Sequence, residues 1–423
     1  MLNNNKYHLI LLVLLFVLVG SCKKKTISPD QQEIFLKYYG GANDQNSGNV
    51  ETTSDGGYVL VGSTSSKGNG GYDIYVVKTD AYGNEEWSKT IGGVGNDEGK
   101  AIRTSSDGGY VVLGSLQDKA TGKTNVYFIK LSIEGNVQWK QEYGDVSYSE
   151  KGVSFENAQD GGYVLIGTTN EVDLLKNGGS GVDDVSDVYL IKVSSNGTFE
   201  WEDIYGFNSA DEGTGIQQIS SDTYVSSGYS IGSPAVIQPD GFDMLVVKGR
   251  LQVGNLYTPN LFVEKSSPIS ETSIASTSSI KYLGNNEIVV LGNTTGANSK
   301  MFLLKIDINT GNKIWYKTFG GSSTNQSSNF STTSDGGYIV TGYAESTTGN
   351  LKDIYIVKLN SLGISEWEKT YGGDGDDRGV SVKQTSDGGY IISGNISFGG
   401  SGLGSNQVMT LIKTNSKGEI STK

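Results

Sequence analysis

From about residue 35 onward the apolar residues come in short runs, some alternating with polar positions and some continuous, separated by clusters of Gly, Asp, Asn and Ser. Runs of this length bounded by turn residues predict β-strands, and here they recur in groups of four. In one group, strand A is Gly99-Lys100-Ala101-Ile102-Arg103-Thr104 and strand B is Tyr110-Val111-Val112-Leu113. Strand C is Val126-Tyr127-Phe128-Ile129 and strand D is Val137-Gln138-Trp139-Lys140. Asp-Gly-Gly between A and B, and Gly-Asn between C and D, mark tight turns, because glycine reaches positive φ without a Cβ clash.

The groups are copies of one another. Ser-Asp-Gly-Gly-Tyr stands at 54–58, 106–110, 334–338 and 386–390, with Gln159-Asp160-Gly161-Gly162-Tyr163 close to it and degenerate copies at 220–224 and 284–288. Four residues after the last position of each copy comes a glycine: Gly62, Gly114, Gly167, Gly228, Gly292, Gly342 and Gly394. Each apolar C run then ends in lysine, at Lys78, Lys130, Lys192, Lys248, Lys305, Lys358 and Lys413. The five tryptophans, Trp87, Trp139, Trp201, Trp315 and Trp367, occupy a single repeat position. Four strands per repeat at a period of ~50 residues is the pattern of a propeller blade, so the predicted fold is all-β, a seven-bladed β-propeller spanning residues 33–423.

The seventh repeat stops where its D strand should begin, and the missing strand is found at the front. Phe35-Leu36-Lys37-Tyr38-Tyr39-Gly40-Gly41 matches Trp87-Ser88-Lys89-Thr90-Ile91-Gly92-Gly93 position by position, with Phe35 in the tryptophan slot. A last blade shared between the two ends removes two open sheet edges and ties the ring shut. The repeated residues read as scaffold. The tryptophans suit packing between blades, and the lysines suit buttressing of the A–B turns against Asp55 and its counterparts.

Alternation of strand direction puts the A–B and C–D turns on one face and the B–C and D–A loops on the other. The first set is short and uniform; the second is irregular, long at 168–184, 229–243 and 395–406 and brief at 293–299. Variable loops on a rigid scaffold are where binding is usually placed. The same face carries carboxylates: Asp97-Glu98, Asp211-Glu212 and Asp376-Asp377 in D–A loops near the channel mouth, with Asp73, Asp187, Asp243 and Asp353 starting C strands. Three readings of these acids stand open: solvated turn caps, oxygen ligands of a cation such as Ca²⁺, or paired acid and base groups for glycan chemistry, which needs two carboxylates and no histidine. The fourth repeat departs from the pattern, lacking Trp and carrying Gly254-Asn255-Leu256-Tyr257-Thr258-Pro259 and a Ser/Thr-rich stretch at 266–279, read as an insertion for partner contact or as drift.

Residues 1–21 combine Lys6, an apolar run at 9–19 too short to span a bilayer, and small residues before Cys22, the pattern of a secretory signal peptide. The only histidine, His8, and the only cysteine, Cys22, both lie in this first segment. The remainder can therefore hold no disulfide, no ordinary zinc site, no imidazole-dependent triad and no histidine base. A net charge of −13 disfavours nucleic acid, whose phosphates demand a basic face.

Val19-Gly20-Ser21-Cys22 resembles the lipobox of bacterial lipoproteins, which implies lipidation of Cys22, a tether over residues 22–32 and attachment to a membrane of the bacterial cell envelope. The chain as a whole resembles Bacteroidetes-type β-propeller repeat lipoproteins. In those an acidic run after the cysteine favours the cell surface, whereas here Lys23-Lys24-Lys25 follow, so an outer-membrane location is implied with the face left open. Residues 305–315 also resemble the blade motif of the quinoprotein dehydrogenase-like superfamily. That likeness implies the fold alone, since the pyrroloquinoline quinone ligands of those eight-bladed enzymes are not identifiable here. The expectation is a non-enzymatic binding or scaffolding module for a protein or glycan, with no cofactor unless Ca²⁺. The alternative is a carboxylate-based glycan-active enzyme of glycoside hydrolase or lyase type.

Overall fold

The computed structural model describes residues 34–170, 186–206, 210–231, 242–251, 257–264, 274–294, 296, 298–346, 351–398 and 406–420. Residues from Glu33 to Lys423 form one unit and Met1–Gln32 another; the latter, with the signal segment and Cys22, lies outside the described residues. So do the interiors of the three long loops.

Twenty-eight strands form seven four-stranded antiparallel sheets, and no helix occurs among the described residues. Six sheets take their strands in sequence order A-B-C-D. The seventh takes A (Arg378–Gln384), B (Tyr390–Phe398) and C (Asn406–Thr414) from the end of the chain and closes with Phe35–Tyr39 from the front. Phe35 pairs with Lys413, Leu36 with Ile412 and Tyr39 with Met409. The A strands contact one another all the way round, blade 7 against blade 1 included, so they are innermost and line the central channel. The chain is a seven-bladed β-propeller.

The B and C strands read as near-continuous hydrophobic runs because both of their faces are covered. In blade 1, Tyr58–Thr64 and Asp73–Thr79 are buried throughout. The D strands are mostly exposed, as in Val137–Tyr143, where only Tyr143 is fully buried. The core is divided into seven wedges, each between two neighbouring blades. Each of the five tryptophans lies in or against such a wedge. Four of them reach the aromatic residue that opens the next B strand: Trp87 to Tyr110 at 5.8 Å, Trp201 to Tyr224 at 5.8 Å, Trp315 to Tyr338 at 6.0 Å and Trp367 to Tyr390 at 5.6 Å. Phe35 does the same to Tyr58 at 6.0 Å. Four of these rings, those of Trp87, Trp315, Trp367 and Phe35, also lie over the glycine of a neighbouring C–D turn. At Gly135 (φ 77°) an added Cβ would come 2.7 Å from the Trp87 ring, so both backbone sign and space require glycine.

The lysines do buttress the A–B turns. Lys78, Lys130, Lys192, Lys358 and Lys413 are buried, and each Nζ lies 2.8 to 2.9 Å from Asp55, Asp107, Asp160, Asp335 or Asp387 respectively. The other oxygen of the same carboxylates, or the same one in blade 2, accepts from the turn glycine's N–H, as at Gly57 and Gly337. Blade 5 substitutes Glu287, 2.6 Å from Lys305.

The fourth blade keeps ordinary architecture. Tyr257–Glu264 is its D strand, with Asn260 opposite Lys248 where other blades place Trp, and Ile274–Gly284 is the A strand of blade 5. Residues 257–259 and 274–279, parts of the segment read as insertion or drift, are therefore backbone of the ring; 252–256 and 265–273 lie outside the described residues.

Candidate functional site at the channel

Every A strand carries a register shift opposite the glycine of its B strand, as at Ser47/Val50 and Gly99/Ala101. At Gly62 a Cβ would lie 2.0 Å from Asn46 O, and at Gly114 2.1 Å from Glu98 O. The seven glycines thus let the upper end of each A strand press against its neighbour, which bends the strand and sets the direction of the residues at the channel mouth.

Three of the candidate acids are fully buried. Asp97 Oδ1 accepts from Gln117 N at 2.8 Å and Oδ2 from Gly93 N at 2.5 Å. Asp377 repeats this with Ser397 N and Gly373 N, both at 2.8 Å. Asp211 occupies the same position, buried, with its N–H on Ser186 O at 2.5 Å. The Asp97 and Asp377 carboxylates fasten the D–A loop to the next blade. Behind each stands the acid of the preceding C strand. A Cβ on Gly92 would meet Asp97 Oδ2 at 2.3 Å and Asp73 Oδ1 at 2.4 Å, and Gly206 and Gly372 lie in the same way between Asp187 and Asp211 and between Asp353 and Asp377. Burial, aided by the charge of Asp97, pushes the Asp73 carboxyl up. Burial likewise raises Asp377, with Asp353 and Asp376 adding to it. Gln45, Glu150 and Asn325 fill the equivalent buried slot in other blades.

The other three candidates reach water. The Glu98 side chain is 44% exposed and lies 2.9 Å from Lys100. Although burial works against it, Lys100 and Lys151 hold its carboxyl below the usual range. Glu212 accepts from Tyr229 Oη at 2.5 Å, and Asp376 accepts from Lys352 N at 3.2 Å. The doublets are also out of register with one another: Asp97 corresponds to Asp377, not to Asp376, because Gly99 and Gly379 align on Gly114 and Gly394. Among the described residues no three His, Cys, Asp or Glu side chains converge as a metal site.

Glu98 and Glu212 belong to a ring that sequence reading missed. The residue twelve positions before each B-strand opening residue is Asn46, Glu98, Lys151, Glu212, Ser276, Gln326 or Arg378, each paired opposite the same B position at the upper end of an A strand. All are polar, none fully buried, and hardly any two are alike. Beside Arg378, the Tyr343 ring is flanked by the Arg378 guanidinium at 5.1 Å and Lys352 Nζ at 5.3 Å.

A second ring lies lower, seven residues before each B-strand opening residue: Glu51, Arg103, Glu156, Gln217, Lys281, Ser331 and Lys383. Here the side chains reach from blade to blade. Arg103 Nη2 lies 3.0 Å from Glu156 Oε2, and Gln217 Nε2 donates to the same oxygen at 2.6 Å. Lys383 pairs with Glu51, and Ser331 Oγ donates to Val382 O at 2.8 Å. Both rings were readable at a fixed offset from the repeated tyrosine, but only as positions without a shared residue type.

A further cavity of about 510 Å³ lies on the rim beside the closing strand, lined by Leu36, Tyr38, Tyr371, Ile396, Phe398 and Ile412 among others.

No protein-family model matches this chain, and no curated protein does. Among solved structures it is similar to a PL25 ulvan lyase, at 10% identity and TM-score 0.54 over 92% of this chain and 98% of that one. The same enzyme bound to -[GlcA(1-4)Rha3S]- gives 9% and 0.53 with the same coverage. The β-propeller domain of the Trilobed protease from Pyrococcus furiosus matches at 10% identity and TM-score 0.48, over 90% of this chain and 96% of that one. At such identities the likeness to the lyase shows the fold alone.

Proposed function

We propose that this chain is an exported module, anchored through lipidated Cys22 to a bacterial membrane, most simply the outer one, that holds a glycan at the channel mouth without transforming it. The observation that carries this reading is the upper ring. The scaffold positions repeat residue for residue, while the ring is polar throughout and varied, a set of donors and acceptors suited to hydroxyl groups. Burial of Asp97 and Asp377 behind backbone N–H groups, with Asp211 buried at the same position, supports binding over catalysis, because a reacting carboxyl must touch its substrate. The ulvan lyase, of similar fold, is solved with a polysaccharide segment, which makes acidic glycans the first class to test.

The test is a glycan array probed with the full chain, followed by calorimetry and by assay for new reducing or unsaturated ends. Binding that Arg378→Ala and Lys151→Ala weaken, with no products formed, is the expected result. Products that disappear in Glu98→Gln or Glu212→Gln would replace this reading with the enzymatic one. Capture of no glycan would remove it.

A further inference from the structure

The rim cavity takes no part in the glycan reading, and the repeat does not explain its walls. It lies between the upper end of the blade 6 D strand, with the loop that follows it as far as Asp374, and the outer strands of blade 7. On the closing strand Phe35 faces Tyr58 of blade 1, so alternation turns Leu36 and Tyr38 the other way, toward blade 6. At the same two positions opposite the C strand, blades 1, 2 and 6 carry Ser88 and Thr90, Lys140 and Glu142, and Glu368 and Thr370. Phe398, four residues past Gly394, stands where those blades have Ser66, Asp118 and Ser346. Blade 7 is therefore apolar at three positions where these blades are polar, and all three side chains line one cavity.

The result is clustered apolar exposure. Leu36, Tyr38, Phe398 and Ile420 are 38%, 46%, 53% and 40% exposed, four of the twelve large apolar side chains exposed among the described residues. Single exposed apolar residues are ordinary, whereas a group of them around a cavity of about 510 Å³ has the size and lining of a small-ligand site.

Rings and one charge decide which ligand fits. The Tyr38 and Phe398 rings meet at 5.3 Å with their planes 72° apart, so ring faces bound two sides of a corner, and ring faces are the negative part of an aromatic group. Asp374 is the charged residue of the lining, which includes no Lys or Arg. It is exposed and, among the described residues, makes no hydrogen bond and no ion pair. An anion would be repelled by rings and carboxylate alike, and a neutral sugar would make no use of the charge. A compact organic cation gains from both, and its methyl groups suit the Leu36 and Ile412 walls.

We propose that the rim cavity binds the quaternary ammonium group of a small molecule, seated against the Tyr38 and Phe398 rings with Asp374 as its counter-ion. The site lies outside the channel mouth, so it stands or falls apart from the glycan reading.

The experiment is calorimetry of the purified full chain titrated with tetramethylammonium chloride, choline chloride and glycerophosphocholine. The controls are sodium chloride at matched ionic strength and 3,3-dimethylbutan-1-ol, which has the shape of choline without its charge. The expected result is saturable binding of tetramethylammonium and choline, and none of sodium or the alcohol. Binding of glycerophosphocholine as well would assign the ammonium to a headgroup, and its absence would assign it to a free cation. Phe398→Ser, the residue that blades 1 and 6 carry there, and Asp374→Asn should each weaken choline binding about tenfold, the scale of a partly desolvated cation–aromatic contact. Phe398→Tyr should keep it, and Arg378→Ala at the mouth should leave it intact. Both weakened variants alter exposed side chains, and an unchanged Tm checks that they fold. Failure of either ammonium ion to bind, equal binding of the alcohol, or choline binding unchanged in Phe398→Ser or in Asp374→Asn would overturn the proposal.

Discussion

The ring of Phe35 meets that of Tyr58 edge-on at 6.0 Å and also covers Gly83, where a Cβ would lie 2.6 Å from it. The two ends of the chain are thereby locked to the first complete blade as tightly as any internal neighbours, with Tyr39 Oη donating to Gly83 O at 2.7 Å.

Removal of that strand should open the ring. A chain lacking residues 1–32 is expected to unfold at the same temperature as the full chain. A chain lacking residues 1–40 should melt lower and self-associate, because the C strand Asn406–Thr414 becomes an unpaired edge. Thermal unfolding with light scattering measures both. Phe35→Ala should cost about 2 to 4 kcal/mol by denaturant titration, somewhat under the ~3 to 5 kcal/mol of a fully buried aromatic because Phe35 is half-buried, and Phe35→Trp should be tolerated.

The lysine turn lock predicts an asymmetry. Lys358 is buried, whereas the Asp335 side chain is 55% exposed and also holds Thr333 and the Gly337 N–H. Asp335→Ala should therefore cost more, about 2 kcal/mol after allowance for solvent screening, than Lys358→Met at about 1 kcal/mol, which leaves two hydrated acids behind. The Lys358 hydrogen bond and that from Thr333 bring Asp335 to about 2. Its share of stability is present above the unfolded value of 3.8 and is lost as pH falls through about 2, so the difference between wild type and Asp335→Asn should shrink over that window in acid unfolding curves.

The buried acid pairs work in the other direction. Asp73 is raised by burial and by Asp97, so the folded state holds its proton more firmly than the unfolded chain. That contribution is complete below the unfolded value of 3.8 and disappears as pH rises through the folded pKa. Asp73→Asn, which removes the repulsion, should leave stability at neutral pH unchanged or raise it by up to about 1 kcal/mol, with the gain vanishing in acid. A marked loss at pH 7 would contradict this.

Substitutions of the buried and exposed members of the acid doublets should separate cleanly. Asp97→Ala deprives Gly93 and Gln117 of their acceptor and should cost about 2 to 4 kcal/mol in stability. Glu98→Gln should cost under about 0.5 kcal/mol and should register only in glycan binding. Equal effects on stability would mean that Glu98 is also structural.

The blade count, the strand and turn positions, the shared last sheet and the lysine-to-aspartate locks were legible along the chain. Each is a local pattern stated seven times, or nearly so, and repetition marks what every blade needs. The exposure of the acids was not legible, because Asp97, the last residue before the strand that Glu98 opens, is buried while Glu98 is not, and the doublet Asp376-Asp377 stands one residue earlier relative to its strand.

What the sequence determined by itself is therefore the repeated unit and the closure of its ends, since hydrophobic period and turn chemistry act over a few residues. The tertiary structure alone decided the meeting of Glu51, Arg103, Glu156, Gln217, Lys281, Ser331 and Lys383. Ring closure brings together positions separated by whole blades, so which side chains pair is decided only when all seven blades are in place.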